Sequence, residues 1–504
     1  MTPPKHTAGL RGRKLFDAHH LIARTLMAAT VLLLLLLGGG GEVATSDESR
    51  DRADQPNFVV IMTDDQALRS MDVMRSTRRL LARRGVTFEN SFTTFPLCCP
   101  SRASFLTGQH PHNHGVLSNR PPDGGFAGFE DRGTLPVALR RAGYTTGLFG
   151  KYFNGYGKFA RKHPGFVPPG WSRWHSIAAR GYFDYTLVEN GRLRRYGGRP
   201  RDYLTDVLAR KATSFIGRAS RRGSPFFAFV PLHSAHTEGP TLGEAPNPRP
   251  APRHARALRG RQFQRPPNFN ERDMSDKPGH IRKRPRLGPR TIRVVRRHDR
   301  DRARSLLAAD DAVRKIVREL RASGQLANTY VLFTSDHGFL SGEHRLRGKE
   351  TLYEEGIRVP LIIRGPGLPR GESVSPLVAN IDLAPTILGI AGVEPLRAPD
   401  GTDLRPVVES PSDYAQRDLF FAYFRAQGVR TREHMYVEHD TRRGTAYELY
   451  DLVGDPFQLE NLVDPSSGEL READPELDDV LGALRVRLDE LRDCQGTSGP
   501  NSCQ

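Results

Sequence analysis

Four short apolar runs divide the first two thirds of the chain and alternate with segments of helical periodicity. Runs this short, rich in β-branched and aromatic residues, are typical of strands that are buried on both faces. The predicted strands are 58–62, 145–149, 226–230 and 330–334, and the predicted helices are 72–84, 134–142, 202–217 and 302–322. This alternation predicts an α/β domain around a mostly parallel sheet whose two faces are covered.

Polar residues that can carry chemistry follow each of these strands. In open α/β sheets, ligands bind beyond the carboxyl ends of the strands. Strands often end in Asp or His as simple caps, but four ends with complementary charges fit that explanation less well. We therefore predict a site at one edge of the sheet. Its candidate residues are Asp64 and Asp65, Lys151, His233, and Asp336 with His337.

The pattern changes after residue 376, and smaller elements follow. HMYVEHD at 434–440 and AYELYDL at 446–452 read as strands, and residues 474–492 as an amphipathic helix. We predict a main domain over 57–395 and a smaller C-terminal subdomain over 396–504.

The amino terminus has the order of a secretory signal peptide. Basic residues precede an uninterrupted apolar run at 25–37, and small residues follow around Ala44. A signal anchor is the alternative, but a helix of this run is well short of the roughly 30 Å hydrocarbon core. We predict a signal peptide over 1–44, a flexible linker over 45–56, an exported protein and no stable membrane span.

The formal net charge of +18 raises the question of a polyanionic partner. Removing residues 1–44 takes away five basic and two acidic residues and leaves +15. Residues 249–304 hold 19 Lys and Arg against 5 Asp and Glu, so this basic segment carries nearly all of the remainder. Export argues against nucleic acid as the partner. The segment is either a rim that attracts a polyanionic substrate or a solvated, arginine-biased loop.

Residues 98–108 read CCPSRASFLTG and start a predicted helix with a cysteine. Pro100 suits a first helical turn, because its missing N–H costs nothing there. Free N–H groups and the helix dipole favour an anion at such a terminus. A buried cysteine is the simpler alternative, and a bridge between the adjacent Cys98 and Cys99 would be strained.

This stretch resembles the signature of the type I sulfatases, in which the first cysteine is oxidised to Cα-formylglycine by a dedicated generating enzyme. The resemblance extends from PNFVVIMTDDQ at 56–66 to the ELYDL pattern near 448–462. Five further stretches look most like the N-acetylglucosamine-6-sulfatase and extracellular heparan-sulfatase branch. They are the doubled cysteine, PHNHGV at 111–116, GKYFNGYG at 150–157, PPGW at 168–171 and DYLTDVLA at 202–209.

The resemblance implies an alkaline-phosphatase-like fold with a large mixed sheet, flanking helices, and a smaller C-terminal antiparallel sheet with a terminal helix. It also implies a divalent metal, Ca²⁺ or alternatively Mg²⁺, since oxygen-rich ligation suits these ions. Zn²⁺ would prefer more His or Cys. The implied ligands are Asp64, Asp65, Cys98, Asp336 and His337, although many family members have asparagine at the last position.

The resemblance further implies that a hydroxyl of the hydrated formylglycine attacks sulfur, and that the enzyme-bound sulfate is then expelled. Arg102 would steady the hydrate, while Lys151, Lys349 and His233 would grip sulfate or assist proton transfer. We prefer His233 over His236 because it lies nearer the strand end. The family often has histidine two residues after Lys151, where this chain has Phe153. His236, His112 and His114 are candidate sugar contacts, although loop or packing roles are the commoner alternative for the last two.

Cys494 and Cys503 enclose a short polar loop, and in an exported protein their pairing in a disulfide is the simplest interpretation. The leading hypothesis is an exported sulfatase that acts on sulfated sugars of the glycosaminoglycan type. The alternatives are an arylsulfatase of broad specificity, a phosphodiesterase or phosphonate hydrolase of the same superfamily, and a basic protein that binds polyanions without catalysis.

Overall fold

The computed structural model describes residues 55–238, 247–499 and 501–504. The predicted signal peptide, and the linker up to residue 54, lie outside the described residues. The strands are β1 (Asn57–Thr63), β2 (Val86–Phe92), β3 (Thr145–Gly150), β4 (Arg173–Ala179), β5 (Thr186–Glu189), β6 (Arg192–Arg195), β7 (Phe226–Pro231), β8 (Thr329–Ser335), β9 (Leu340–Ser341), β10 (Arg347–Gly348), β11 (Leu361–Arg364), β12 (Glu372–Ala379), β13 (Leu419–Tyr423), β14 (Ala426–Arg430), β15 (His434–Thr441) and β16 (Gly444–Asp451).

The described residues form twelve α-helices, several of which cover the two faces of the main sheet. They are α1 (Arg75–Leu80), α2 (Cys98–Thr107), α3 (Pro111–His114), α4 (Leu135–Arg141), α5 (Tyr156–Lys162), α6 (Leu204–Arg221), α7 (Gly279–Arg282), α8 (Pro289–Ala322), α9 (Glu354–Ile357), α10 (Leu383–Ala391), α11 (Leu404–Glu409) and α12 (Pro475–Arg492). Among the described residues, none of these helices combines the length and apolarity that a membrane crossing requires.

The main sheet has ten strands in the order β12-β2-β11-β8-β1-β7-β3-β4-β5-β6. Its five central strands, from β8 to β4, are all parallel. Antiparallel pairs occur only towards the two margins. This confirms the predicted α/β class with a mixed, mostly parallel sheet, and all four predicted strands are present within it.

The central strands are apolar on both faces because both faces are covered. Along β1, Phe58 and Val60 belong to one core cluster, which also includes buried residues of α2, α4 and α10. Val59 and Ile61 belong to the other cluster, together with α6 and α8. Both clusters fix the strand register that places the functional residues at the sheet edge.

A second sheet of four antiparallel strands, β13 to β16, follows in the chain, and α12 packs on it through Leu481, Leu484 and Leu488. This confirms the predicted C-terminal antiparallel sheet with a terminal helix. Residues Asp54–Gln504 form one compact unit by their contacts. The boundary near residue 395 would divide this unit, and it stays a prediction.

Two predicted helices differ from the structure. The helix predicted over 72–84 is only α1, with 3₁₀ turns at Leu68–Val73 and Ala82–Arg84. Asp310 accepts hydrogen bonds from the backbone N–H groups of Ser76 and Thr77, so a long-range carboxylate starts the helix here. The helix predicted from 302 begins at Pro289 instead. The last part of the basic segment is therefore helical.

Candidate active site

The site lies at the carboxyl edge of the central parallel strands. β8, β1, β7 and β3 are successive neighbours that run in the same direction. The residues that follow these strands therefore meet at one edge, as predicted. Helix α2 begins at the same edge and brings the thiol of Cys98 among them.

Cys98 is buried and contacts both anionic and cationic groups. Its Sγ atom lies 3.4 Å from His337 Nε2 and 3.8 Å from Asp64 Oδ1, and it accepts a hydrogen bond of 3.1 Å from Lys349 Nζ. Burial raises the pKa of the thiol, but Lys151 and Lys349 outweigh burial and hold that pKa well below its ordinary value. This position stabilises negative charge on the side-chain atom that occupies it.

Two lysines neutralise the two adjacent aspartates of the site. Lys151 Nζ donates to Asp64 Oδ2 at 2.6 Å, and Lys349 Nζ donates to Asp65 Oδ1 at 2.7 Å. Burial raises the pKa of both carboxyls, yet Lys151 beside Asp64 and Lys349 beside Asp65 hold both pKa values well below the ordinary range. Both aspartates are therefore ionised although they are buried.

Arg102 ties two strand ends together. Its Nε and Nη2 atoms donate to Asp336 Oδ2 at 3.0 and 2.8 Å, and its Nη1 donates to the carbonyl of Lys151 at 2.9 Å. Burial lowers the pKa of this guanidinium, but Asp336 and Asp64 outweigh burial and raise it. Arg102 is permanently charged and is held in one place by these contacts.

A divalent cation fits the donor set of this edge. One ligand atom from each of Asp64, Asp65, Cys98 and His337 lies within 4.8 Å of all the others, and all four residues are buried. The ring of His337 is oriented by the 2.9 Å contact of its Nδ1 with the carbonyl of Gly338, so Nε2 faces the cluster. Burial lowers the pKa of His337, but Asp336 outweighs burial and raises it to about 9. Carboxylate oxygens and an imidazole nitrogen are ligands that divalent cations accept, so this donor set fits such an ion.

The loop after β7 brings both of its histidines to the site. The hydroxyl of Tyr182 donates to the carbonyls of His233 and His236 at 3.2 and 2.9 Å and holds the loop in place. Nδ1 of His233 lies 3.8 Å from Asp64 Oδ2, while Nε2 of His236 lies 3.9 Å from Asp65 Oδ2. Within the described residues, neither ring nitrogen of His233 has a hydrogen-bond partner.

His236 also influences the thiol. It adds to the two lysines in lowering the pKa of Cys98, whereas Nδ1 of His233 lies 3.8 Å from Asp64 Oδ2. Nδ1 of His236 lies 2.7 Å from the carbonyl of Thr237, which fixes the ring and turns Nε2 towards the site. Burial lowers the pKa of His233 to about 4, so this ring is neutral at pH 7.

His112 and His114 contact other parts of the protein. His114 Nε2 lies 3.1 Å from Ser104 Oγ, and His112 Nε2 lies 2.9 Å from the carbonyl of Cys494. A disulfide joins Cys494 to Cys503 and closes the C-terminal loop. Within the described part of the chain, the hydrogen bonds of both histidines do not reach the Cys98 cluster. Their predicted contact with sugar stays a prediction.

Arg302 is a site residue that the sequence analysis missed. It is buried, its Nη2 donates to the carbonyl of Asp65, and its Nη1 donates to the carbonyl of Ala235 at 3.2 Å. Its guanidinium lies over the ring of Phe339, 3.6 Å from the centroid. Because it is one of nineteen basic residues in the segment, its charge alone did not mark it as a site residue. Its position in the helical pattern does indicate that it is buried. Val295, Arg302, Leu306 and Ala309 are all buried residues on α8, and their spacing is that of a core-facing stripe.

Comparison with known proteins agrees with this geometry. The family profile described as Sulfatase matches residues 56–393. This chain belongs to the sulfatase family. A second profile, N-sulphoglucosamine sulphohydrolase, C-terminal, matches residues 342–491 of this sulfatase, which include the four-stranded sheet and most of α12. As a member of this family, the protein is a sulfuric ester hydrolase.

Individual relatives cover most of the sulfatase. N-acetylglucosamine-6-sulfatase of Homo sapiens is 33% identical over 494 residues, which span 88% of this chain and 85% of the relative. The putative extracellular sulfatase Sulf-1 homolog of Caenorhabditis elegans is 34% identical and spans 70% of this chain and 49% of its own. BT4656, solved in complex with its substrate D-glucosamine-2-N,6-O-disulfate, superposes with a TM-score of 0.69 at 24% identity, covering 86% of this chain and 97% of that chain. This last likeness supports the fold.

Proposed function

We propose that this sulfatase is exported and hydrolyses sulfate esters of sulfated sugars, with 6-sulfated N-acetylglucosamine in glycosaminoglycan-type chains as its substrate. The observation that carries the proposal is the surroundings of Cys98, where two lysines, an imidazole and a carboxylate lie around one buried thiol. The choice of sugar rests on the N-acetylglucosamine-6-sulfatases among its relatives. Export rests on the amino-terminal pattern and on the extracellular sulfatases that it resembles.

Asp64, Asp65, Asp336 and His337, together with the converted side chain of Cys98, would hold the divalent metal, for which we propose Ca²⁺. When bound, this ion supplies positive charge that favours ionisation of the nucleophilic oxygen and offsets charge on the sulfate. Cys98, once converted to formylglycine by its generating enzyme, supplies that oxygen at the position of the present Sγ atom. The free thiol therefore stands in for the oxygen in the distances given above.

The two lysines bind and orient the sulfate. Lys349 Nζ is 3.1 Å from Sγ of Cys98, so its ammonium reaches any group bound to the nucleophile. Lys151 lies on the other side of Asp64 and also lowers the pKa of the thiol. Preorganised cations of this kind stabilise the charge that develops as sulfur is attacked. Arg102 keeps Asp336 and the backbone of Lys151 in register.

A proton must reach the alcohol oxygen as the ester bond breaks, and we assign this role to His236. Its Nε2 faces the cluster while its Nδ1 is held by the carbonyl of Thr237. His233 is fully buried and lies against Asp64, so we assign it the role of a positioning residue. This reverses the preference drawn from the sequence.

The test is co-expression with a formylglycine-generating enzyme, followed by measurement of formylglycine in the Cys98 peptide by mass spectrometry. Sulfate release is then measured from N-acetylglucosamine 6-sulfate, an aryl sulfate, a phosphodiester and a phosphonate monoester. We expect the sugar sulfate to have the highest kcat/KM, and the Cys98→Ala variant to be inactive. If fully modified protein releases no sulfate from any ester, the proposal is wrong. Faster turnover of the phosphorus esters would instead support the superfamily alternative.

A further inference from the structure

A cleft of about 230 Å³ lies beside the amino-terminal half of α8, and four of its lining residues are arginines of that helix. We call it the α8 groove and define it by Arg261, Phe263, Arg293, Arg296, Arg297, Asp299 and Arg300. Pockets that bury a whole small molecule enclose about 300–1,000 Å³. The α8 groove is smaller and open, which suits a ligand that runs across the surface.

The groove carries positive charge that the protein leaves uncompensated. Asp299, its one carboxylate, already lies 2.6 Å from Arg261 and 3.7 Å from Arg69. Among residues 55–238, 247–499 and 501–504, no carboxylate lies within ion-pair distance of Arg293, Arg296 or Arg297, and all three side chains are exposed. Three guanidinium groups, each able to donate two parallel hydrogen bonds to one anionic group, therefore face solvent together.

Two further features make this more than a solvated charged surface. Nε of Arg300 is buried in the groove and has no hydrogen-bond partner in the described part of the chain. Phe263 contributes an apolar ring to the lining and is held by an edge-on contact with Phe269, with ring centroids 5.3 Å apart. An apolar face between guanidinium groups suits a sugar ring that carries sulfates.

The same helix links the groove rigidly to the active site. Arg302 on α8 contacts Asp65 and Ala235 at the centre of the site. At 1.5 Å per residue, Arg297 and Arg293 lie about 8 and about 14 Å further along the helix axis. The groove therefore lies within about two and a half helical turns of a residue that contacts the centre of the site.

We infer that the α8 groove is a docking site for a sulfated polysaccharide, which it holds by sulfate groups flanking the ester under attack. This inference rests on the proposed function, because it takes the polymer to be the substrate. Rows of anionic groups at short intervals occur in nucleic acids as well. We choose the sulfated polymer because the groove is formed by α8, the same helix whose Arg302 contacts the active site proposed to hydrolyse sulfate esters.

The experiment compares two triple variants of equal charge. The groove variant carries Arg293→Ser, Arg296→Ser and Arg297→Ser. The control carries Arg75→Ser, Arg79→Ser and Arg83→Ser. Those arginines line a separate cleft beside the starts of β2 and β12, at the opposite edge of the sheet. All six side chains are exposed, so neither variant removes a core contact, and melting temperatures verify that both fold.

At low salt, we expect the groove variant to lose about tenfold in kcat/KM on heparan sulfate and to show a weaker dependence on salt. Its turnover of N-acetylglucosamine 6-sulfate, which is too short to reach the groove, should stay within about twofold of the parent. The control variant should match the parent on both substrates. Equal losses in the two triple variants, or no loss on the polymer, would overturn the inference.

A binding measurement separates this inference from the proposed function. Heparin affinity is measured for the Cys98→Ala protein with and without each set of three substitutions. Weaker binding in the groove variant alone supports the docking site even if no sugar sulfate is hydrolysed. Tighter groove-dependent binding to single-stranded DNA than to heparin would overturn the choice of ligand.

Discussion

Lys349 offers the sharpest test of the charge arrangement around Cys98. Its ammonium nitrogen lies 3.1 Å from Sγ and 2.7 Å from Asp65 Oδ1. At an effective dielectric constant of about 20, a unit charge 3.1 Å away interacts with about 5 kcal/mol. If about half a unit of charge develops near this atom in the transition state, removing the ammonium costs about 3 kcal/mol. That corresponds to about a hundredfold in rate.

The Lys349→Met variant keeps the aliphatic stem and removes the charge. We expect its kcat on N-acetylglucosamine 6-sulfate to fall about a hundredfold, with a smaller change in KM, since the charge acts mainly on the transition state. Lys158→Met, at an exposed position of α5, is the matched control and should be unaffected. Formylglycine content must be equal in all three proteins. A fully modified Lys349→Met enzyme whose kcat stays within threefold of the parent would refute the assigned role.

Three further predictions concern the other parts of the site and the C-terminal sheet. His236→Ala should lower kcat on the sugar sulfate by about 10²–10⁴, and much less on an aryl sulfate, whose leaving group needs no proton. His233→Ala should show no such dependence on the leaving group. If the two variants behave alike, the separate roles proposed for the two histidines are wrong. Exhaustive chelation should abolish turnover and lower the melting temperature, and Ca²⁺ should restore both; activity that survives verified removal of the metal would contradict the assigned ligand set. Glu448 accepts hydrogen bonds from Tyr353 and Tyr450 and contacts His439, and although burial raises its pKa, His439 and these bonds hold it at about 2. Because the pKa of Glu448 is lower in the folded than in the unfolded protein, where it is about 4.5, its ionised form stabilises the folded protein above about pH 4.5. Glu448→Gln should therefore lower the free energy of unfolding by about 3 kcal/mol at about pH 7. The difference in melting temperature between parent and variant should shrink as pH falls from about 4.5 towards about 2. A difference that does not change with pH would show that the ionised form is not what stabilises this sheet.

The sequence predicted the central strands and the residues behind them because both signals are local. An apolar run such as 58–62 forms a strand that other elements must cover on both faces. This can be recognised from the run itself, without knowing which elements pack on it. The polar residue that follows each strand is then placed by the rule that parallel strands end at one edge. Strands such as β2 and β6 were not predicted because polar residues interrupt their apolar pattern. Whether such segments form strands depends on pairing with their neighbours in the sheet.

Long-range contacts decided what the sequence analysis could not. The role that we propose for His236 in place of His233 depends on the loop after β7, which Tyr182 holds in place. The start of α1 depends on Asp310, more than 200 positions away. Neither contact leaves a pattern in the local sequence. Proximity to the strand end, on which the preference for His233 rested, takes no account of such contacts.

The basic segment shows why net charge alone does not predict a role. Arg253 contacts Asp206 and Asp311 at 2.5 and 2.8 Å. Its charge is therefore neutralised by carboxylates of α6 and α8, and these ion pairs attach the segment to the two helices. Arg302 is buried against Asp65 and belongs to the active site. Other basic residues of the segment, such as Arg284, Arg286, Arg293 and Arg297, are exposed and keep their charge available to solvent. A total charge does not say which of these exposed positions a polyanion reaches. If the α8 groove is the docking site, the salt dependence of binding should follow substitutions at Arg293, Arg296 and Arg297 and not the total charge of the segment.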